Sequence, residues 1–557
     1  MKKVGLVTAA IVVAVFFFLL ATLPPLPARL NVGIDPDLVR RTVRGAYHIH
    51  SSRSDGAADK DAIASAASRA GLAFIILTDH GDGTRVPDRP EYLHGVLCVD
   101  AVEISTNGGH YVALDMRPSP YPLGGEPEAV VEDVRRLGGF GIAAHPDSPR
   151  PQLAWSDWQA PIDGLEWLNA DSEWRDESRL HLARLLFDYM WRPGPALASA
   201  LDRPVTTLKR WDDLLQRRRI VALAGVDAHG GIGRGMEEGG KRRPALGTIP
   251  SYEASFRSFS TRAALDHPFT GQAPADAASL ISAIRNGHVF TAIDAIAGPA
   301  YIGIASDPSG RPYVNYVVGD GGELIMVRDG HDSLPLQEGG TGQYRFKDAD
   351  MTGVVRFEIR IPRAPGTPPV PWVVSNPVYF SQPSAEPPSS PVSETVVPLA
   401  VGAAWHVEKD PQTEASTTIS GEDVRFDYRL ASGSRRSQFA AAVIDLQGAP
   451  ADSTAITFSI AASRPARVSV QLRYPDHGGA RWSRSVYADV ALQEARVPFE
   501  GMAPADFQSG HAPNPSAARS LLFVVDLTNA RPGDSNSISI HRVGFTVPAA
   551  RSKSPIR

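Results

Sequence analysis

A short, wholly apolar run, Leu72-Ala73-Phe74-Ile75-Ile76-Leu77, ends in Thr78-Asp79-His80. It reads as a buried parallel strand, because a strand covered on both faces shows no polar alternation. The same pattern recurs. Residues 43–50 read as a strand ending in Tyr47-His48-Ile49-His50, 96–102 as one ending in Glu103, and 110–114 as one opening with His110. Residues 140–144 run into His145-Pro146-Asp147, 162–167 form a further strand, and 220–225 lead into Asp227-Ala228-His229. Between them lie helical stretches: 59–70 ended by Gly71, 126–137 ended by Gly138-Gly139, then 175–190 and 205–218. Alternating strands and helices predict an α/β domain around a parallel sheet. Barrels of this kind keep their active sites at the C-terminal ends of the strands. Here those ends carry His, Asp and Glu.

Nine residues of metal-ligand type fall at or just after predicted strand ends: His48, His50, Asp55, His80, Glu103, His110, His145, Asp227 and His229. Imidazole and carboxylate are donors that divalent ions take. His48 and His50 are expected on one face of their strand, since side chains alternate. One His-x-His is weak on its own, but a metal cluster explains all nine together. Other polar residues read as ordinary. His94, His181, His267 and His288 are expected as hydrogen-bonded loop residues, Asp79 as a turn cap, and Asp82 and Asp88 as solvated loop residues. Arg217-Arg218-Arg219 reads as the exposed end of a helix. Cys98 is the only cysteine, which excludes an intrachain disulfide and a cysteine-based zinc site, and it is expected in the core. A net charge of −5 gives no electrostatic footprint for nucleic acid.

Met1-Lys2-Lys3 precedes an apolar run over 4–23. A run of about 20 apolar residues spans a bilayer as a helix. Lysines on its N-terminal side predict a signal anchor that leaves the rest of the chain extracytoplasmic, in the periplasm or at the cell surface. A cleaved signal peptide, and so a secreted protein, is the alternative. Pro24, Pro25 and Pro27 crowd the cleavage zone and favour the anchor.

With these residues in hand, the region 44–293 resembles the PHP (polymerase and histidinol phosphatase) superfamily of metallohydrolases. The motifs that carry the resemblance are His48-Ile49-His50 with Ser54-Asp55-Gly56, Thr78-Asp79-His80, Val102-Glu103, Gly109-His110, Ala144-His145-Pro146, and Gly225-Val226-Asp227-Ala228-His229. The resemblance implies a distorted seven-stranded (β/α) barrel binding two or three divalent ions, of the Mn, Fe or Zn type. It implies that His48, His50, Glu103 and Asp227 hold the first metal and the bridging water or hydroxide. Glu103 would bridge to a second metal held by His110 and His145. Asp55, His80 and His229 would hold a third. Asp55 stands where other members use histidine. The leaving oxygen would be served by the third metal, with Asp147 a second candidate. Pro250-Ser251-Tyr252-Glu253, Phe256 and residues 280–291 are similar to a branch that carries a β-sandwich behind the barrel. Some of its members hydrolyse carbamate or other esters.

The expected substrate is a small phosphate ester or, in the alternative, a carboxylic or carbamate ester. A non-catalytic envelope or glycan-binding protein is the third reading. Arg150, Arg175, Arg234 and Lys241 are candidates for contacting a substrate phosphate, each equally readable as surface charge. The glycine-rich stretch 230–240 reads as a loop over the site.

The boundaries follow from changes in pattern. Residues 1–30 are the anchor, 40–297 the metallohydrolase barrel, 298–383 a β-sandwich and 384–398 a Pro/Ser/Glu-rich linker. Residues 399–548 form a β jelly roll loosely similar to carbohydrate-binding modules, read either as a module for a glycan or as a structural or docking sandwich with core aromatics, and 549–557 a disordered tail. Val355-Arg356-Phe357-Glu358-Ile359-Arg360-Ile361 alternates and predicts a half-buried strand. Trp405, Tyr474, Trp482 and Tyr487 read as exposed-type aromatics.

Overall fold

The computed structural model describes residues 2–30, 36–231, 249–333, 335–381, 394–399, 404–433, 438–446, 448–475, 480–505 and 514–548. Arg234, Lys241, most of the glycine-rich stretch and the tail lie outside them.

The chain closes a barrel around β1 (Thr42–Ile49). β1 lies parallel to β2 (Phe74–Leu77), which lies parallel to β3 (Val96–Asp100). After Ala101 the chain continues as β4 (Val102–Thr106), which joins the end of β2 through a parallel bridge from His80 to Glu103. β4 is antiparallel to β5 (Gly109–Leu114), and β5 to β6 (Phe140–Ala143). β6 runs parallel to β7 (Gly164–Asn169), β7 to β8 (Val221–Ala228), and β8 returns to β1. With β3 and β4 taken as one strand bent at Ala101, these are seven strands.

Each strand splits its alternate side chains between two clusters. Ile75 and Leu77 pack with Ile63 and Ala67 of the helix Lys60–Arg69. Phe74 and Ile76 pack with Leu97, Ile142 and Leu223 of the other strands. That helix starts where the Asp59 carboxylate accepts the Ala62 amide hydrogen and ends at Gly71, φ 75°. Cys98 is buried among these apolar groups, which pushes its thiol up to about 11.

The strands after the barrel do not have a core to themselves. Val373–Ser375 pairs with Val289–Ala292, which pairs with Ser260–Ala264, which pairs with β1. Phe357, Trp372 and Val374 belong to the same hydrophobic cluster as Ile49 and Trp167. The strand Val354–Arg360 is buried on both faces, where alternation predicted one wet face. Its polar side chains meet buried countercharges instead. Arg356 grips both Asp212 oxygens at 2.7 and 2.9 Å and donates to Glu358 at 2.7 Å. Burial opposes ionisation of Glu358, but Arg356 and Arg203 hold it down at about 2.

Two sheets of six strands each form the C-terminal sandwich, with its own core around Phe426, Phe458, Val470, Phe523 and Phe545. Part of the expected linker is an edge strand here, Glu394–Pro398 paired with residues 544–548. Tyr474 is buried, and Trp405 and Trp482 pack on the core. Tyr487 lies under the Arg136 guanidinium at 3.6 Å. Of the aromatics expected outside, none is a free platform.

Among the described residues no helix is long and apolar enough to cross a membrane. This corrects the expected N-terminal signal anchor and the membrane-attached, extracytoplasmic placement drawn from it. The end of the helical run Lys2–Ala21 is committed to the barrel. Arg184 donates to the Leu19 and Thr22 carbonyls at 3.0 and 2.7 Å, Arg192 donates to the Pro24 carbonyl at 2.6 Å, and Phe16 meets Phe187 edge-on at 6.0 Å.

The sandwich docks on the helix Pro127–Arg136. Arg467 and Asp133, 3 % and 1 % exposed, bond at 2.9 and 3.0 Å, and Arg467 also caps the Ala129 carbonyl at 3.0 Å. Arg484 pairs with Glu128 and Glu132 of the same helix. Removing one partner of a buried pair leaves the other charge uncompensated. Here Asp133 keeps a second cation, Arg136 at 2.9 Å, so Arg467→Met is expected to lower the unfolding free energy by about 1.5–3 kcal/mol, the range for a lost charged hydrogen bond, read from urea titrations.

A second buried carboxyl gives a pH signature. Burial, reinforced by Asp176, Asp202 and Asp147, pushes Glu173 up to about 8, although the Asp202 amide donates to it at 2.7 Å. The folded state keeps a proton that the unfolded chain releases near 4.5, so Glu173 makes stability fall as pH rises from about 4.5 to about 8. Glu173→Gln is expected to flatten that slope and raise the melting temperature at pH 8.5 by a few degrees, measured by calorimetry across pH.

Candidate metal centre

All nine residues of ligand type meet at the C-terminal end of the barrel. His48 and His50 leave the end of β1, but not by simple alternation. His48 has φ 66°, a left-handed kink that turns both rings to the same space, centroids 5.2 Å apart. His145 follows β6 at φ 30°, and Asp227 lies at φ 46° within a bulge where β8 places an extra residue against β1. Such conformations cost about 1–3 kcal/mol each in non-glycine residues and persist only where the surroundings over-determine them. The backbone shows the restraint: His50 N–H donates to the Ala228 carbonyl at 3.0 Å, and Ala144 N–H to the His110 carbonyl at 3.0 Å.

Glu103 is the hub. Its Oε1 lies 2.8 Å from His110 Nδ1 and 2.9 Å from His145 Nε2. Its Oε2 lies 3.2 Å from His50 Nε2, 3.2 Å from His80 Nδ1 and 3.4 Å from His48 Nε2. Asp227 Oδ1 lies 3.5 and 3.3 Å from the same nitrogens of His48 and His50. Asp55 faces His80 at 3.7 Å and His229 at 3.3 Å, and the His229 ring stacks on His50 at 4.3 Å. Four overlapping groups have geometry that would hold an ion: His48 with Glu103 and His145, His48 with His50 and Asp227, His50 with Asp55 and His80, and His80 with Glu103 and His110.

The electrostatics fit a cation. Burial alone would raise Glu103, yet the surrounding His48 and His80 imidazoles hold it well below the usual carboxylate range. Burial alone would lower His48, yet Glu166, Asp227 and Glu103 raise it well above the usual value. His48 Nε2 and Glu103 Oε2 are buried and have no hydrogen-bond partner. Buried polar atoms are rarely left so, and two lone-pair donors aimed at one space are what a divalent ion would satisfy.

Sequence reasoning passed over Glu166, in the middle of β7 and fully buried. It accepts from His48 Nδ1 at 2.5 Å, from the His145 amide at 2.7 Å and from Asn169 Nδ2 at 2.8 Å. It thereby holds the Nδ1 side of His48 and turns Nε2 toward the cluster. Gly225 makes room for it, since a Cβ there would lie 2.5 Å from Glu166 Oε1. The available signal was a lone carboxylate inside an apolar strand.

Two other residues hold the loops. Asp79 caps a turn, as expected: it accepts from the Ser51 amide at 2.8 Å and the Ser54 hydroxyl at 2.6 Å, which places Asp55. Tyr252 donates to the His50 carbonyl at 2.7 Å and accepts from the Ala57 amide at 3.0 Å, with Gly56 and Gly230 too close for any Cβ. Of the candidate substrate cations, Arg150 and Arg175 line a cleft of about 410 Å³ that opens on Asp55, Asp227 and His229.

No family model matches the chain. It is 29 % identical over 142 residues to an uncharacterized protein of Methanocaldococcus jannaschii, covering 23 % of this chain and 82 % of that one. Among solved structures it is similar to a two-domain protein of Bacteroides vulgatus whose name includes a predicted PHP-like metal-dependent phosphoesterase. That match has 17 % identity and a TM-score of 0.27, over 60 % of this chain and 94 % of that one. A family 11 carbohydrate-binding module from a cellulosomal cellulase of Clostridium thermocellum matches 30 % of this chain and all of its own, with 15 % identity and a TM-score of 0.22. At these scores the functional reading rests on the chain's own residues.

Outer-shell partners of ligating histidines typically carry a factor of about 10–100 in metal affinity. Glu166→Ala is expected to weaken binding of Mn²⁺ by that factor, measured by titration against a chelating dye, while an Asp88→Ala control at the rim leaves it unchanged.

Proposed function

We propose that this chain is a metal-dependent hydrolase, and specifically a phosphoesterase. The observation that carries the reading is the buried Glu103 carboxylate, whose two oxygens face different sets of histidines. In this reading His48, His50, Glu103 and Asp227 hold one ion, Glu103 with His110 and His145 a second, and Asp55, His80 and His229 a third. Mixed imidazole and carboxylate donors suit Mn²⁺, Fe²⁺ or Zn²⁺. When bound, such ions acidify water for attack and neutralise charge growing on the ester's oxygens.

The chain's own residues do the rest. Glu166 holds the Nδ1 side of His48, so the ring meets the cluster through Nε2. The left-handed turns at His48, His145 and Asp227 aim three ligands that regular strands would point elsewhere. Tyr252 and Asp79 hold the loops that carry Asp55 and His229, which sets the mouth of the site. The complete donor set favours catalysis over a purely binding role.

The purified protein loaded with Mn²⁺ is expected to hydrolyse p-nitrophenyl phosphate or bis-p-nitrophenyl phosphate, to lose activity in EDTA, and to favour these over naphthyl acetate or a naphthyl carbamate. His48→Ala with Asp227→Ala is expected to lower kcat at least about a thousandfold, with metal content falling in parallel by elemental analysis. Unchanged metal content in the double variant would overturn the ligand assignment, and preference for the carboxylic or carbamate ester would overturn the phosphoesterase reading.

A further inference from the structure

The cleft beside the cluster has three parts of different chemistry. One edge is formed by Asp55, Asp227 and His229 of the metal centre. Trp174, Leu185 and Leu201 also line it, and the two leucines are buried. Arg150 and Arg175 are the two arginines that line it among the described residues.

The two arginines are not equivalent. Arg175 is already neutralised: it pairs with Asp171, and its guanidinium lies 4.6 Å from the ring of Trp174. Asp171 also accepts from Trp174 Nε1 at 2.9 Å, so one carboxylate pins the indole and the cation stacked on it. Arg175 therefore acts on Trp174. The side chain of Arg150 is exposed and makes no hydrogen bond or ion pair with any described residue. A guanidinium offers planar, forked donors to phosphate oxygens, and only an unpaired one has them to give. The same cleft is lined by an indole whose nitrogen is held by Asp171, with Arg175 over one face, and by two leucines, surfaces that suit an apolar ring.

We infer that this cleft selects an organic phosphate ester with an apolar, ring-bearing body: Arg150 meets the phosphate charge and Trp174 stacks on the body. The inference rests on the phosphoesterase reading and narrows it from phosphate esters in general to aryl-type ones. It also reassigns Arg175 from substrate contact to positioning Trp174.

The test is binding of non-hydrolysable probes to the Mn²⁺-loaded protein, followed by calorimetry. 1-Naphthylphosphonate is expected to bind about tenfold or more tighter than methylphosphonate. Trp174→Ala is expected to abolish that preference, with Trp174→Phe retaining most of it. Arg150→Met is expected to weaken both probes about tenfold without changing their ratio, with Arg150→Lys recovering part of the loss. Equal affinities in the native protein, a preference that survives Trp174→Ala, or an Arg150→Met variant that binds as tightly as the native protein would each overturn the inference. The hydrolase reading fails separately. A protein with this binding pattern and no Mn²⁺-dependent turnover keeps the cleft assignment and loses the activity, and a phosphoesterase without the pattern keeps the activity and loses the assignment.

Discussion

One carboxylate fixes the centre of this protein. Glu103 is buried with five imidazoles within 3.4 Å of its two oxygens. A charge in that position is several kcal/mol uphill unless it is paired or ligates a metal. The barrel is shaped to supply the partners. The bridge between His80 and Glu103 brings β2 and β4 into register, the bulge in β8 lifts Asp227 out of the ladder, and the left-handed kink at His48 turns two rings inward at once. Each is a departure from regular strand geometry, and they concentrate where the strands end. The regular parts of the same strands sit in two apolar clusters, whose packing holds the irregular ends in place.

That division explains what could be seen in the sequence. Apolar runs of four to eight residues between turn signals report burial directly, so the strands were legible one by one, but not that β5 pairs antiparallel with β4 and β6 where a parallel sheet was expected. The residues of ligand type that cluster were legible because they sit at the ends of those runs. Glu166 was not, because its partner His48 lies 118 residues away and a lone carboxylate in an apolar strand does not show what it meets. The strand Val354–Arg360 failed for a related reason. Period-two alternation shows that every second residue is polar, but not whether water or Asp212, 144 residues away from Arg356, satisfies it. The segment 394–398 read as linker from its composition and became a strand because residues 544–548 offer it an edge. The anchor was read from hydropathy, the lysines before the run and the prolines after it, and none of these carries a sign of Arg184 and Arg192 capturing the carbonyls at the end of that run.

Among the described residues the sandwich touches the barrel at places of unequal weight, including Asn529, which donates to the Pro122 carbonyl at 3.0 Å. Arg531 reaches Asp82 at 2.9 Å, on the loop just after His80, and would look like a route from the sandwich to the metal centre. Both side chains are largely solvated, 56 % and 39 % exposed, and such pairs contribute about 0–1 kcal/mol. Arg467 with Asp133 is sealed from water and backed by Arg484 and by the Tyr121 hydroxyl on Asp133 at 3.0 Å. The docking energy therefore lies on the helix Pro127–Arg136. The residues that hold the cluster in shape, Glu166, Asp79 and Tyr252, all belong to the barrel and bond to barrel residues. Among the described residues no sandwich side chain bonds to the cluster, so what the sandwich adds acts on where the barrel is held or what is brought to it.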